Sequence, residues 1–351
     1  MDYPDVAPGS IRSARSGPDP QYAIGVRVTA DHLIGLLLDL NGTVVDLGPA
    51  LDGPEGPGRG YLRAPLSGTE VAAVVADISA LAHDLLGARP DLGEGVLGLG
   101  VSIGGHVDGE TGVVRFSPNL GWTGEVRLAE LLERATGFDV VVVENDVNVL
   151  VDAEQWSGTA ERYQRFAVVK VGTGIGCGLS LHREVERGAT GAAGELGHIP
   201  FEQDGWQCVC GNRGCLQTVA SGDAILRAIR QWGRRDVDAI DRAADLARSG
   251  DETARMAFAR AGEALGVGLA ILLNVINLEA VILCGDAALL KYEPYIDAAR
   301  RSLAEHAFST TAEDCALLIE ARTDELEARG AASMVLGHLV DVDVRDRHSR
   351  A

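Results

Sequence analysis

The sequence predicts a mixed α/β protein of two lobes, with a helical insertion in the second. Three observations lead there. Apolar runs of strand length recur at residues 23–28, 33–40, 95–105, 138–146, 165–181 and 280–285, several of them ending in glycine. Apolar residues at helical spacing fill the intervals between them. The opening strand–turn–strand pattern then returns at residue 165, so the repetition is at the level of a domain and not of a short repeat.

Residues 1–20 are rich in Pro, Gly, Ser and Asp and read as a flexible arm. AIGVRV (23–28) and LIGLLLDL (33–40) read as strands joined by residues 29–32. The pair Asn41-Gly42 before TVVDL is the strongest short hairpin signal, so a third antiparallel strand is expected. After a Gly/Pro-rich loop (52–60), residues 68–87 place Val71, Val74, Val75, Ile78, Leu81 and Leu85 on one helical face. GVLGLGVSIGG (95–105) is a buried strand ending in a glycine loop, and FDVVVVEND (138–146) repeats it after a helix over 128–135. RFAVVKVGTGIGCGLSL (165–181) opens the second lobe. Helices follow over 223–232, 239–248 and 252–275, then the strand AVILCG (280–285) and a helix near 329–339. The apolar stretch 264–275 reads as core, with an oligomer contact as the alternative. The expected organisation is an arm (1–20), a first lobe (21–150), a second lobe (151–340) and a frayed tail (341–351).

With 351 residues, 46% hydrophobic and 23% charged, the chain has enough apolar content for a large core. No uninterrupted apolar run reaches the roughly 18 residues of a membrane span, and the N-terminus lacks a basic-then-apolar leader pattern. A formal charge of −20 opposes binding to a phosphate backbone, so the chain by itself is not expected to bind nucleic acid. Six cysteines, three of them within eight residues, fit a metal cluster in a reducing cytoplasm better than a disulfide framework.

That cluster lies in GELGHIPFEQDGWQCVCGNRGC (194–215). His198, Cys208, Cys210 and Cys215 form the ligand set of a closed, four-coordinate structural zinc site. The plainer reading is three free thiols and a core histidine. A second feature is the turn GTGIGCG (172–178), where backbone N–H groups can approach phosphate oxygens and Thr173 can add a hydroxyl. A glycine turn between strands is also simply a hairpin. Gly98 and Gly100 form a GxG, but no fitting GxGxxG with an acidic partner follows, which argues against a dinucleotide fold.

GELGH (194–198), CVCGNRGCLQ (208–217) and VENDVN (143–148), at these separations, resemble the ROK family of repressors, open reading frames and sugar kinases. The likeness runs from about residue 22 to 339. It implies the actin-like, hexokinase-like fold of two α/β lobes around a cleft, a small-molecule sugar as ligand, and a homodimer or homotetramer. In the family's kinases the residue matching Asp146 is the general base that takes the proton of the attacking sugar hydroxyl. Asn145 would fix sugar hydroxyls, although an Asn-Asp pair also caps a following helix well. The resemblance further assigns sugar contacts to Glu195 and His198, and to Gly105 and Asn119 of the loops GG (104–105) and SPNLGW (117–122). His198 would then serve zinc with one ring nitrogen and sugar with the other. Gln217 stands where the family has Glu, implying altered sugar preference.

The likeness fails at the nucleotide. Where the family's kinases carry DxGGTK, this chain reads Arg27-Val28-Thr29-Ala30-Asp31-His32. An arginine replaces a magnesium-holding carboxylate, two glycines become Thr29 and Ala30, and Asp31 adds negative charge where phosphates would lie. At an effective dielectric near 20, a like-charge contact at ~4 Å costs on the order of 4 kcal/mol. The glycine pair near adenosine reads Gly285-Asp286. The resemblance therefore implies a sugar-sensing module of the regulator branch. ATP and magnesium, at Gly172, Thr173, Gly174 and Gly285, enter only if the chain is instead a glucokinase-like enzyme. The winged helix-turn-helix of the regulators does not fit into residues 1–20, so such a head is expected only upstream of Met1.

Overall fold

The computed structural model describes residues 21–48, 60–320 and 325–349. The arm expected over 1–20 and nearly all of the loop at 52–60 lie outside the described residues. The chain forms two compact units: residues 1–161, 189–192 and 324–351 in the first, 162–188 and 193–323 in the second.

The first unit runs β1 (Tyr22–Val28), β2 (His32–Asp39), β3 (Tyr61–Pro65), α1 (Val71–Ala88), β4 (Val96–Ile103), β5 (His106–Asp108), β6 (Val113–Phe116), β7 (Val126–Arg127), α2 (Leu128–Thr136), β8 (Val141–Asn145) and α3 (Asn148–Ser157). Its main sheet has the order β3-β2-β1-β4-β8, and β5-β6-β7 make a small second sheet. β2 is antiparallel to β1 and β3, whereas β4 runs parallel to both β1 and β8. The pairing Ile103↔Asn145 ends β4 and β8 side by side, so the glycine loop at 104–105 and Asp146 emerge next to each other. Ile24, Val26, Leu99, Val101 and Val143 pack with Val74, Ile78, Leu81, Leu85, Leu128 and Leu132. Each such aliphatic burial is worth roughly 1.5–3 kcal/mol. Because both faces of the sheet are covered, its inner strands read as continuous apolar runs instead of alternating ones.

The second unit repeats the plan with β9 (Arg165–Val171), β10 (Ile175–Leu181), β11 (Glu184–Val185), α4 (Gln217–Ala220), α5 (Gly222–Gln231), α6 (Ile240–Arg248), α7 (Glu252–Ile276), β12 (Ala280–Gly285), α8 (Ala287–Leu290), α9 (Glu293–His306), α10 (Thr311–Asp314) and β13 (Ala316–Ile319). Its sheet order, β11-β10-β9-β12-β13, matches the first sheet strand for strand, as the sequence repetition implied. Asp251 caps α7 by accepting from the Ala254 N–H, and Asn277 ends it in the left-handed conformation. Helix α7 buries Phe258, Leu265, Leu269 and Leu273, which confirms a core role for most of 264–275, although Ile271 and Val275 are exposed. Both α1 and α7 are long and apolar enough to span a membrane by length and composition alone. A 67% buried window in α7 is what a core helix gives as well.

The chain closes with α11 (Glu325–Ser349), which returns to the first unit. There Ala328, Ala332, Val335 and Leu336 cover Ala23, Leu36 and Leu38 on the other face of the sheet. A Cβ on Gly25 would stand 1.9 Å from the Ala328 carbonyl oxygen, and one on Gly100 would stand 1.9 Å from that of Ala331. Only glycine allows the helix to lie this close to the strands.

Four sequence expectations change. After Asn41-Gly42 the chain does fold back, with Val45 N–H donating to Leu37 O, but only the isolated bridge Leu38↔Val44 forms. Asp39 accepts from the N–H groups of Asn41 and Thr43, which fixes a local turn instead of an extended ladder, and β3 takes the edge of β2. The boundary placed at residue 150 moves to 161, because α3 stays with the first unit. The last helix belongs to the first unit and not to the second, and it continues to Ser349 through the expected tail. Helix α9 was missed, although Tyr295, Ile296, Ala299 and Leu303 fall at helical spacing behind Pro294.

Candidate functional site

In the first unit four predicted residues gather around one glycine loop. The Asp146 N–H donates to Ile103 O at 3.2 Å, holding the residue at the strand end. A Cβ on Gly104 would lie 3.2 Å from Asn119 Nδ2 and 3.8 Å from Asp146 Oδ2, so that amide and that carboxylate converge over Gly104. Asn119 is exposed and Asp146 half-buried. The loop bearing Asn119 is closed by the bridge Ser117↔Trp122. Ser117 Oγ donates to Gly104 O at 2.8 Å and so pins it to the glycine loop.

Asn145 behaves as a brace. Its Oδ1 accepts from the Val147 and Asn148 N–H groups, and its Nδ2 donates to Gly105 O at 2.8 Å. The capping role and the loop contact thus coexist in one amide. Beneath it the buried Glu144 accepts from the Asn145 N–H and from Asn148 Nδ2, a support the sequence did not reveal because that residue reads as part of the strand. Gly105 has φ +127°, and a Cβ there would meet Phe116 O at 2.1 Å. Gly105→Ala is expected to lower the stability of the first unit by about 3 kcal/mol, since the strained conformation and the clash add. Chemical denaturation measures this, and a loss below ~1 kcal/mol would mean the loop relaxes freely.

The turn between β1 and β2 is closed on itself. Thr29 N–H donates to His32 O at 3.0 Å, Thr29 Oγ1 donates to the same carbonyl at 2.7 Å, and Asp31 Oδ1 lies 2.7 Å from His32 Nδ1. Hydrogen bonds from His32 and Thr29 hold the Asp31 carboxyl below the usual carboxylate range. Arg27 Nε lies 2.8 Å from Glu327 Oε2 of α11, with both side chains largely buried. The expectation that Arg27 would repel a cation in a phosphate loop is therefore corrected: its charge is matched inside the fold.

In the second unit GELGH and the cysteine loop build a cluster of four. The ligand atoms of His198, Cys208, Cys210 and Cys215 all lie within 4.8 Å of one another, and the group could hold a metal ion. Cys208 Sγ is 3.4 Å from His198 Nδ1, and Cys210 Sγ is 3.6 Å from Cys215 Sγ. Two sulfurs each ~2.3 Å from a tetrahedral cation stand about 3.8 Å apart, so this spacing fits such an ion. The backbone sets it: Cys208 N–H donates to Asn212 O, Gly214 N–H to Trp206 O, and Pro200 bridges Cys215. Burial pushes the Cys215 thiol up to about 12, with the Cys210 and Cys208 side chains adding to the shift. Burial acts the same way on Cys208, but the Cys210 N–H, Gln217 and the neighbouring thiols outweigh it and lower that thiol. Thiols crowded together in this way are an environment that a divalent cation favours, because it stabilises them as thiolates.

His198 turns Nδ1 to the cluster, so Nε2 faces Glu195 Oε2 at 3.7 Å. A metal on Nδ1 would leave Nε2 as the ring nitrogen available to donate. The glycine turn 172–174 caps β9 and β10, with Gly172 N–H donating to Gly174 O at 3.0 Å and Thr173 exposed. Gly285 ends β12 beside it, and the following Asp286 N–H donates to Val171 O at 2.8 Å. Asp286 Oδ1 accepts from Ala288 N–H as the cap of α8, which puts a carboxylate at this turn. Gln217 sits between the two features: Nε2 donates to Cys208 Sγ at 3.2 Å and Oε1 accepts from Ile175 N–H at 3.3 Å. The sequence marked Gln217 as a sugar contact and missed this bridge, which depends on two segments 42 residues apart.

Comparison with known proteins identifies the fold and the family. The chain is 27% identical over 321 residues to the xylose repressor of Bacillus subtilis (strain 168), covering 92% of this chain and 78% of the repressor. It is 35% identical over 200 residues to the glucokinase of Thermotoga maritima, covering 53% of this chain and 63% of that enzyme. The crystal structure of the ROK hexokinase from Thermus thermophilus superposes with a TM-score of 0.74 at 27% identity, over 92% of this chain and 100% of the other. The actin-like sugar kinase fold, here two α/β units with matching sheets, is therefore established. A model of the ROK family matches residues 73–338, and the chain belongs to that family.

Proposed function

We propose that this chain is a sugar-binding effector module of the regulator type, with a degraded nucleotide site and a structural zinc at His198, Cys208, Cys210 and Cys215. The observation that carries this reading is the β1–β2 turn. Its polar groups bond to one another, it carries Thr29 and Ala30 in place of glycines and an exposed Asp31 beside them, and Arg27 is drawn away to Glu327. Asp286 at the turn near Gly172, Thr173, Gly174 and Gly285 adds a second carboxylate where a polyphosphate would need donors. The sugar-side groups, by contrast, remain in place. Asp146 and Asn119 converge in the first unit, and Glu195 and His198 face each other in the second. Gly105 and Asn145 shape the first set, and Gln217 the second. Similarity to a xylose repressor over 92% of the chain supports the regulator reading. A cytoplasmic homodimer or homotetramer belongs to the same proposal, and light scattering measures the assembly.

Zinc would supply a fixed charge that keeps three thiolates and one imidazole together. The chain's own residues do the recognition: His198 Nε2 donates, Glu195 and Asp146 accept, and Asn119 does both.

The second reading is an ATP-dependent hexose or amino-sugar kinase. It is favoured by the position of Asp146, a carboxylate at a strand end beside Asn119, which suits a general base. The deciding experiment is ADP release with MgATP across hexoses, amino sugars and pentoses, followed by a thermal-shift screen of the same panel. We expect sugar-dependent stabilisation and no turnover. Turnover that disappears in Asp146→Asn, by a factor of about 10² or more, would establish the kinase instead.

A further inference from the structure

We propose that His106 is a positioning residue: it anchors a strap, residues 189–192, that holds the segment carrying Glu195 ready for sugar. The inference rests on the sugar-binding reading and deepens it by naming what keeps one of its segments in place.

The strap is set apart by where it packs. Residues 189–192 belong to the first unit, although the chain enters them from Gly188 and leaves at Ala193, both in the second. The anchor is β5. Thr190 O lies 2.7 Å from His106 Nε2, and a carbonyl oxygen can only accept, so that ring nitrogen carries a proton and donates. Gly191 has φ +85°, and a Cβ there would stand 1.9 Å from Val107 O. The strap therefore lies directly against β5, as close as only glycine allows. The β5–β6 pairing slips by one residue between His106↔Phe116 and Val107↔Val114. Such a bulge re-aims the side chains beside it, and His106 is one of them.

The anchor leads to sugar-side groups in both directions along the chain. His106 follows Gly105, whose carbonyl accepts from Asn145 Nδ2. In the other direction the strap runs through Ala193 and Gly194 to Glu195. Its base is closed in the second unit, where Ala193 N–H donates to Arg187 O at 3.1 Å and a Cβ on Gly194 would meet Cys177 O at 2.3 Å. With its base closed and its tip held by His106, the strap is a short tether between the segments that carry the two sets of sugar-side groups. A sugar met by both sets binds more tightly when such a tether already restrains them, because less freedom is lost on binding. Losing the one hydrogen bond from His106 loosens the tip and leaves the Thr190 carbonyl without that donor.

The test uses the whole chain. His106→Leu removes the donor, and His106→Gln restores an amide N–H at nearly the same reach. Calorimetric titration with D-glucose and with D-xylose should show affinity lowered about tenfold in His106→Leu, the size of one lost hydrogen bond. Affinity in His106→Gln should stay within about twofold of the unaltered protein, since the bond is remade. Without sugar, trypsin should cut after Arg187, at the base of the strap, about tenfold faster in His106→Leu than in the other two proteins, because cleavage follows the open population. If His106→Leu does not fold, His106→Asn, whose amide is too short to reach Thr190 O, takes its place. Unchanged sugar affinity in His106→Leu would overturn the proposal, and so would a His106→Gln protein as weak as His106→Leu. An unaltered protein that binds neither sugar would sink the sugar reading and the role of His106 in it. The trypsin rates then decide separately whether His106 holds the strap, and equal rates in all three proteins would remove the anchor itself.

Discussion

Removal of the metal from the His198–Cys208–Cys210–Cys215 cluster is expected to lower the melting temperature of the zinc-loaded protein by about 10 °C or more and to weaken sugar binding with it. The ends of the loop 199–216 are held by Ile199, Phe201 and Leu216 on the core, by the Glu202–Arg260 ion pair and by Arg227 over Trp206. The stretch that carries Cys208 and Cys210 lacks such anchors among the described contacts. The loop's backbone bonds are local, with Phe201 and Glu202 N–H both on Gly214 O and Leu216 N–H on Ile199 O, and Cys210 itself is exposed. Structural zinc contributes directly to folding, and several kcal/mol lost from a unit of this size shift the midpoint by roughly 2–4 °C per kcal/mol. Sugar affinity falls in parallel because His198 loses the anchor on Nδ1 that aims Nε2. Cys210→Ser should reproduce both effects, and bound zinc, thermal midpoint and sugar affinity are the quantities to record. A chelated protein that keeps full sugar affinity would show that the imidazole needs no metal to hold its orientation. Acid should act in the same direction as chelation: the thiolates must be deprotonated to bind, so metal is released as pH falls and protons compete for sulfur.

Arg27→Asp is expected to destabilise the first unit by about 3–5 kcal/mol and to yield no nucleotide affinity. Read from the sequence alone, this change restores a carboxylate to a phosphate loop. In the fold it sets a second carboxylate against Glu327, whose side chain is only 8% exposed. Removing one partner of a buried ion pair leaves the other charge without compensation, which is where most of that loss arises. Replacing both residues together, as in Arg27→Met with Glu327→Met, should stay within ~1 kcal/mol of the starting protein, because an apolar pair of similar volume needs no desolvation. Denaturant midpoints of the single and double variants separate the cases, and titration with MgATP reports on the nucleotide. An Arg27→Asp protein as stable as the original that binds MgATP would place Arg27 in a working phosphate loop.

Much of the fold was legible because both sheets are covered on both faces. Runs such as AVILCG (280–285) and the two strands of residues 165–181 have no alternation to misread, and glycine marks their ends. The His/Cys cluster was legible for a different reason: thiols and imidazole at short spacing are a donor set suited to a cation, so their proximity in sequence already points to that chemistry. Asp146 and Asn119 were found through resemblance, and their convergence over Gly104 needed the parallel register of β4 and β8.

The sequence by itself determined the two α/β units, their doubled strand plan, the family and the four residues of the His/Cys cluster. Each of these depends on local pattern or on residues close along the chain. Only the tertiary structure decided where α11 lies, what Arg27 is paired with and what Gln217 holds. Those contacts join positions such as Arg27 and Glu327, or Ile175 and Gln217, whose meeting is set by sheet order and helix packing. A hydrogen bond or ion pair between distant segments leaves no periodicity, and its energy appears only when the backbone has brought its two ends together.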